Sequence, residues 1–136
     1  MPRYMLLIAE AESGPDEVQV GGADWAPGKP LFDEIAAMHG SFAAEVTAAN
    51  ATIVAGEALL PLSTATFLRN TRSSDVMVVD NPAPDVKETL GGFYLIDAPD
   101  DSTARALAER CPAPGGYIVL RPVFDFSSLP EAAGAG

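Results

Sequence analysis

The chain has 136 residues, with eight Lys and Arg against nineteen Asp and Glu, one histidine and one cysteine. That length fits one domain. A formal charge of -11 excludes a uniformly basic nucleic-acid surface, and a lone cysteine excludes an intrachain disulfide and a cysteine metal cluster. No apolar run is long enough to span a membrane or to form a signal-peptide core. The expected setting is the cytoplasm, with neither nucleic acid nor membrane as a partner.

In chain order, Met5 to Ala9 is predicted as a strand whose residues are apolar without alternation, so both of its faces call for cover. A long loop follows over about residues 10–31, rich in Gly, Pro and acidic residues and interrupted by Trp25. Phe32 to Ala49 has helical periodicity, with Phe32, Ile35, Ala36, His39, Phe42, Ala43 and Val46 on one face. Asn50 suits a left-handed helix end. Thr52 to Ala55 is a strand, followed by Gly56 and Glu57. Ala65 to Arg69 and Val76 to Asp80 form a predicted hairpin. Gly92 to Asp97 is a further strand, and Asp101 to Cys111 a second helix, capped by Asp100 or Asp101 and stopped by Pro112. Tyr117 to Leu120 is the last strand. Residues 1–126 make one domain, and 127–136 are a small-residue tail expected to fray.

This order predicts an α+β sheet with both helices on one face. The strands are apolar on both faces, so the second face needs a cover. A second copy of the chain, packed sheet to sheet as a homodimer, supplies it most simply. The alternative is a monomer whose long loop covers that face.

Arg3-Tyr4-Met5-Leu6-Leu7-Ile8, Gly56-Glu57-Ala58-Leu59, Val79-Asp80-Asn81-Pro82, Lys87-Glu88, Gly91-Gly92-Phe93-Tyr94-Leu95-Ile96 and Leu120-Arg121-Pro122-Val123 occur in that order. In order and spacing they resemble the YCII-related proteins, in particular the branch marked by an Asp-Gly-Pro-Phe motif. The resemblance runs from Arg3 to about Val123. It implies a ferredoxin-like protomer forming a dimeric α+β barrel. Part of that family is credited with a catalytic His–Asp pair, and one related enzyme type removes chloride from a chlorinated hydroxyquinol. The barrel is also similar to muconolactone isomerases and cofactor-free monooxygenases. This chain departs from the motif, reading Asp80-Asn81-Pro82-Ala83. Ala in place of Phe removes a large apolar wall, and Trp25 is the candidate to replace it.

His39 stands between Ile35 and Phe42 on the apolar helix face. Two readings remain open: a core histidine hydrogen-bonded to a neighbour, or a general acid–base group. Asp80 either caps the following turn or orients the histidine; its match to the motif aspartate favours the second. Lys87 is either a solvated charge or the cation for an acidic substrate, while Glu88 has capping-box spacing from Asp85. Glu57 either faces the pocket or pairs with Arg121, whose guanidinium suits a carboxylate or enolate. No nucleotide fingerprint, nucleophile elbow or structural zinc pattern is present.

The expected function is therefore cofactor-independent proton transfer on a small acidic, phenolic or polyketide-like metabolite, by isomerisation, elimination or cyclisation. His39 and Asp80 are the catalytic candidates, and Trp25, Glu57, Lys87 and Arg121 the substrate-binding ones. No metal or cofactor is expected. The alternatives are a non-catalytic small-molecule-binding or accessory protein and a cofactor-free monooxygenase.

Overall fold

Local sequence chemistry accounts for most element ends. The structure is a computed structural model that describes residues 1–11, 30–60, 64–80 and 88–129. Its elements are β1 (Arg3–Ala11), α1 (Pro30–Ala48), β2 (Thr52–Ala58), β3 (Thr66–Arg69), β4 (Met77–Asp80), β5 (Glu88–Asp97), α2 (Asp101–Arg110) and β6 (Gly116–Pro122). Proline at the start of α1 has no N–H to leave unpaired. At its other end Asn50 takes φ +59°, Ala51 N donates to Val46 O at 3.1 Å, and Asn50 N donates to Thr47 O at 3.1 Å. This is a Schellman closure on the expected asparagine.

The N-cap of α2 is Asp100, whose carboxylate accepts from Thr103 N at 2.7 Å. Asp101 is already helical, and its carboxylate accepts a hydrogen bond from the Tyr4 hydroxyl. The helix stops one residue before the expected Cys111, which is extended at φ -68°, ψ 130°. Pro112 forces that extension on the residue before it. Glu88 is a correction of another kind. It opens β5 opposite Ala11 and does not follow Asp85 in a capped helix. The additional pairing with β1 makes both strands longer than their apolar cores suggest.

β2, β5, β1 and β6 form an antiparallel sheet in that order, and β3 and β4 form a separate two-stranded hairpin sheet. The four-stranded sheet with α1 and α2 is a ferredoxin-like α+β arrangement, as expected. The core lies between helices and sheet. It is built from Tyr4 and Leu6 of β1, Ile96 of β5, Phe42 and Val46 of α1, and Ala104 and Leu107 of α2. Ala36 and Ala43, expected on the inward face of α1, are exposed, so the buried stripe is narrower than the periodicity suggests. Glu45 and Arg110 join the two helices through paired contacts of 2.9 and 2.8 Å.

Alternation assigns the opposite face of the sheet. Met5, Leu7, Phe93, Leu95 and Val119 point away from the core cluster and are half-buried. No described helix lies over them. The expected tail begins with a 3-10 turn, Phe126–Ser128, capped by Asp125.

Candidate functional site

His39 occupies α1 two turns before the buried Val46, on the edge of the inward stripe. A half-buried imidazole there reaches the sheet. Its Nδ1 lies 2.5 Å from the hydroxyl of Tyr94, and the ring centroids are 5.7 Å apart. Tyr94 faces the helices because it alternates with Phe93 and Leu95 on β5, and its ring packs on Phe42 at 4.9 Å.

Gly56 on the neighbouring strand β2 makes room for that ring. Ile53 and Ala55 are paired with Ile96 and Leu95, leaving Val54 as an extra bulged residue, which sets Gly56 directly opposite Tyr94. A Cβ on Gly56 would stand 2.8 Å from Tyr94 Cδ1. Only a residue without a side chain lets the phenol lie across β2 toward His39.

The electrostatics keep the pair neutral near neutral pH. Burial lowers the His39 pKa from its ordinary 6.5, so the imidazole stays uncharged. Burial also raises Tyr94 above its ordinary 10.0, with a further contribution from nearby Cys111. The Cys111 thiol is itself pushed up to about 12 by burial, which leaves it protonated and unreactive.

Two tautomers are compatible with this geometry. If Nδ1–H donates to the phenol oxygen, Nε2 carries a free lone pair. If the phenol donates to Nδ1, Nε2–H is a donor. Either way Nδ1 is engaged by Tyr94, and Nε2 has no hydrogen-bond partner among the described residues.

The other candidates separate by location. Asp80 ends β4, paired through its backbone with Thr66 in the hairpin, and its side chain lies outside what is described. Trp25, Lys87 and the Asn81-Pro82-Ala83 stretch also lie outside the described residues. Glu57 pairs with Phe93, and Arg121 with Met5, so both project from the face opposite His39. The sheet therefore stands between these two charges and the His39–Tyr94 pair of the same protomer. A Glu57–Arg121 contact, one of the two readings for Glu57, does not form within the chain, because the two residues occupy opposite edge strands. Both are exposed.

Tyr94 is the site residue that sequence reasoning missed. The available signal was a tyrosine in phase with the inward Ile96, opposite a glycine. A separate groove of about 510 Å³ lies at the sheet end, lined by Met1, Arg3, Tyr4, Asp101, Val123 and Phe124 among others; His39 and Tyr94 do not line it. Among the described residues no group of three or more His, Cys, Asp or Glu is placed to hold a metal ion, and no helix is long and apolar enough to cross a membrane.

Fold and site together define a ferredoxin-like α+β protein that holds a neutral histidine–tyrosine pair between its first helix and its sheet. A family model for the YCII-related domain matches residues 4–127. The chain thus belongs to the YCII-related family. A search of the curated proteins found no match.

Proposed function

We propose that this YCII-related protein is a homodimeric, cofactor-independent enzyme that moves a proton on a small acidic, phenolic or polyketide-like metabolite. The observation that carries this reading is the 2.5 Å contact between His39 Nδ1 and the Tyr94 hydroxyl. It engages Nδ1 and leaves Nε2 as the ring nitrogen assigned to proton transfer in this reading. A neutral imidazole accepts a proton at Nε2 from a carbon or phenol acid, and the neutral Tyr94 hydroxyl stabilises the resulting imidazolium by accepting a hydrogen bond from Nδ1–H. Isomerisation, elimination and cyclisation all begin with such a transfer. Asp80 is the second acid–base candidate of the same reading, matching the aspartate of the Asp-Gly-Pro-Phe branch. Trp25 and Lys87 are its candidates for enclosing and holding an anionic substrate. Glu57 and Arg121 are assigned to the opposite face of the sheet.

The same burial supports a second reading. A half-buried histidine held to Tyr94 through Nδ1 also suits a pocket that binds a ligand without turning it over. Solvent-deuterium exchange distinguishes the two without knowledge of the product. A panel of phenolic and 1,3-dicarbonyl acids is incubated with the protein in D₂O, and loss of C–H signal is followed by NMR. Catalysed exchange should fall ~10²–10⁴-fold in a folded His39→Gln variant. Undiminished exchange by that variant would remove His39 from the mechanism. Saturable binding with no exchange across the panel would favour the binding protein.

A further inference from the structure

The groove at the sheet end lies where β1, the segment after β6 and the first turn of α2 meet. Its volume is about 510 Å³, and small-molecule sites span ~300–1,000 Å³. Its hydrogen-bonding character is one-sided. Asp101 accepts from the Tyr4 hydroxyl and has no cationic partner among the described residues. A neutral hydroxyl leaves the charge of that carboxylate in place. The same hydrogen bond pushes the Tyr4 pKa up to about 12, so the phenol stays protonated. Tyr4 is 2% exposed, and its oxygen accepts no hydrogen bond among the described residues. Asp125 adds a second carboxylate, held below its ordinary 3.8 by bonds from the Ser127 hydroxyl and N–H.

Donors are scarce in the same lining. Pro2 and Pro122 have no N–H, and Val123 N already donates to Arg3 O at 2.9 Å. Arg3 is the positive side chain of the lining, and its Nε and Nη2 donate to Asp97 at 2.8 and 3.2 Å. The Met1 amino group also acts on Asp97. The groove thus offers acceptors and asks for a donor. Its wall is apolar: Val123 and Phe124 are exposed, and Phe126 meets the Phe124 ring edge-on with centroids 4.9 Å apart. An exposed aromatic ring beside carboxylates suits a cation carried on an apolar body.

We propose that this groove binds a small arylalkylamine, whose ammonium donates to Asp101, Asp125 and the Tyr4 oxygen while its ring lies against Phe124. An ammonium supplies three N–H donors and the charge that Asp101 lacks. An anion would meet a guanidinium already bound to Asp97 and face two carboxylates. A neutral aromatic would gain the wall and lose the charge-assisted bonds. His39 and Tyr94 do not line the groove, so this site is independent of the proposed proton transfer.

The test uses phenethylamine as the probe. Phenethyl alcohol and hydrocinnamate are its neutral and anionic counterparts, and butylamine is the ammonium without a ring. Binding is read at neutral pH by amide NMR titration of isotope-labelled protein. Phenethylamine should give saturable shifts centred on Tyr4, Asp101 and Phe124, with His39 unmoved. The other three compounds should bind at least ~10-fold more weakly. Asp101→Asn should abolish the preference for amine over alcohol, and Phe124→Ala the preference for phenethylamine over butylamine, with circular dichroism confirming each fold. Should Asp101→Asn unfold, Asp125→Asn carries the same comparison, because the bonds printed by its carboxylate stay within one turn. Tighter binding of hydrocinnamate would overturn the charge assignment. Equal binding of butylamine would reduce the site to adventitious cation pairing on an acidic surface. Shifts centred elsewhere, or none that saturate, would overturn the site, and each of these failures leaves the His39 reading to its own experiment.

Discussion

His39 owes its neutral state to the protein around it, and this makes its titration visible in stability. Its pKa in the folded chain is lowered below the ordinary 6.5 by desolvation. The unfolded chain therefore binds a proton there at a higher pH than the folded chain does. Between the lowered native value and 6.5 the unfolded state holds more protons, so stability rises with pH through that window and is lost as pH falls through it. Thermal melts of wild type should show this slope below pH 6.5, and His39→Gln should flatten it. The carboxylates of Glu45, Asp97, Asp100 and Asp125 are shifted downward from 4.5 or 3.8 by their hydrogen bonds, those of Glu45 and Asp97 to Arg110 and Arg3, so their loss of stability falls at lower pH. An unchanged slope above the carboxylate range in His39→Gln would show that the imidazole is not desolvated in solution.

At the scale of elements, two positions decide how strands and helices present the site. Gly56 gives Tyr94 its place, so Gly56→Ala forces a methyl group to within 2.8 Å of the ring carbon Cδ1. Overpacking of this kind costs about 1–3 kcal/mol. The expected result is a lower denaturation midpoint together with altered imidazole nitrogen shifts of His39 in NMR, because the phenol leaves Nδ1. A destabilised variant with unchanged His39 shifts would mean that β2 moves and the pair stays intact. Asp100 gives the contrasting case. It caps α2 through Thr103 N, is exposed, and its hydrogen bonds run to Thr103 and Ser102 rather than to His39 or Tyr94. Asp100→Ala should cost about 1 kcal/mol in chemical denaturation and leave the His39 shifts as they are.

For the whole molecule, the sheet face without a described helix over it lets the proposed homodimer be tested through stability. A two-layer α+β unit buries one sheet face under its helices and leaves Met5, Leu7, Phe93, Leu95 and Val119 on the other. If a second copy covers them, folding and dimerisation share their free energy and the melting temperature climbs with protein concentration. Differential scanning calorimetry over a hundredfold dilution series should record that rise, by several degrees. A melting temperature independent of concentration, with a sedimenting mass equal to one 14.1 kDa chain, would assign the cover to the chain itself.

The sequence by itself determined the order of elements, because periodicity and end chemistry are local. Asn50 closing α1, Pro112 ending α2 and the unbroken apolar run of β1 are each decided by a residue and its neighbours. It also carried the family, through ordered motifs along most of the chain. It singled out His39 but assigned it an aspartate as partner. Only the tertiary structure brought forward Tyr94, 55 positions away in sequence, because that contact depends on the β5 alternation, the bulge at Val54 and the space above Gly56 acting together. The same holds for Glu57 and Arg121. As sequence Glu57 either faced the pocket or paired with Arg121, but strand order sets the two at opposite edges and alternation sets both on the far face from His39. Strand order is chosen by packing over the whole chain, which no local pattern records.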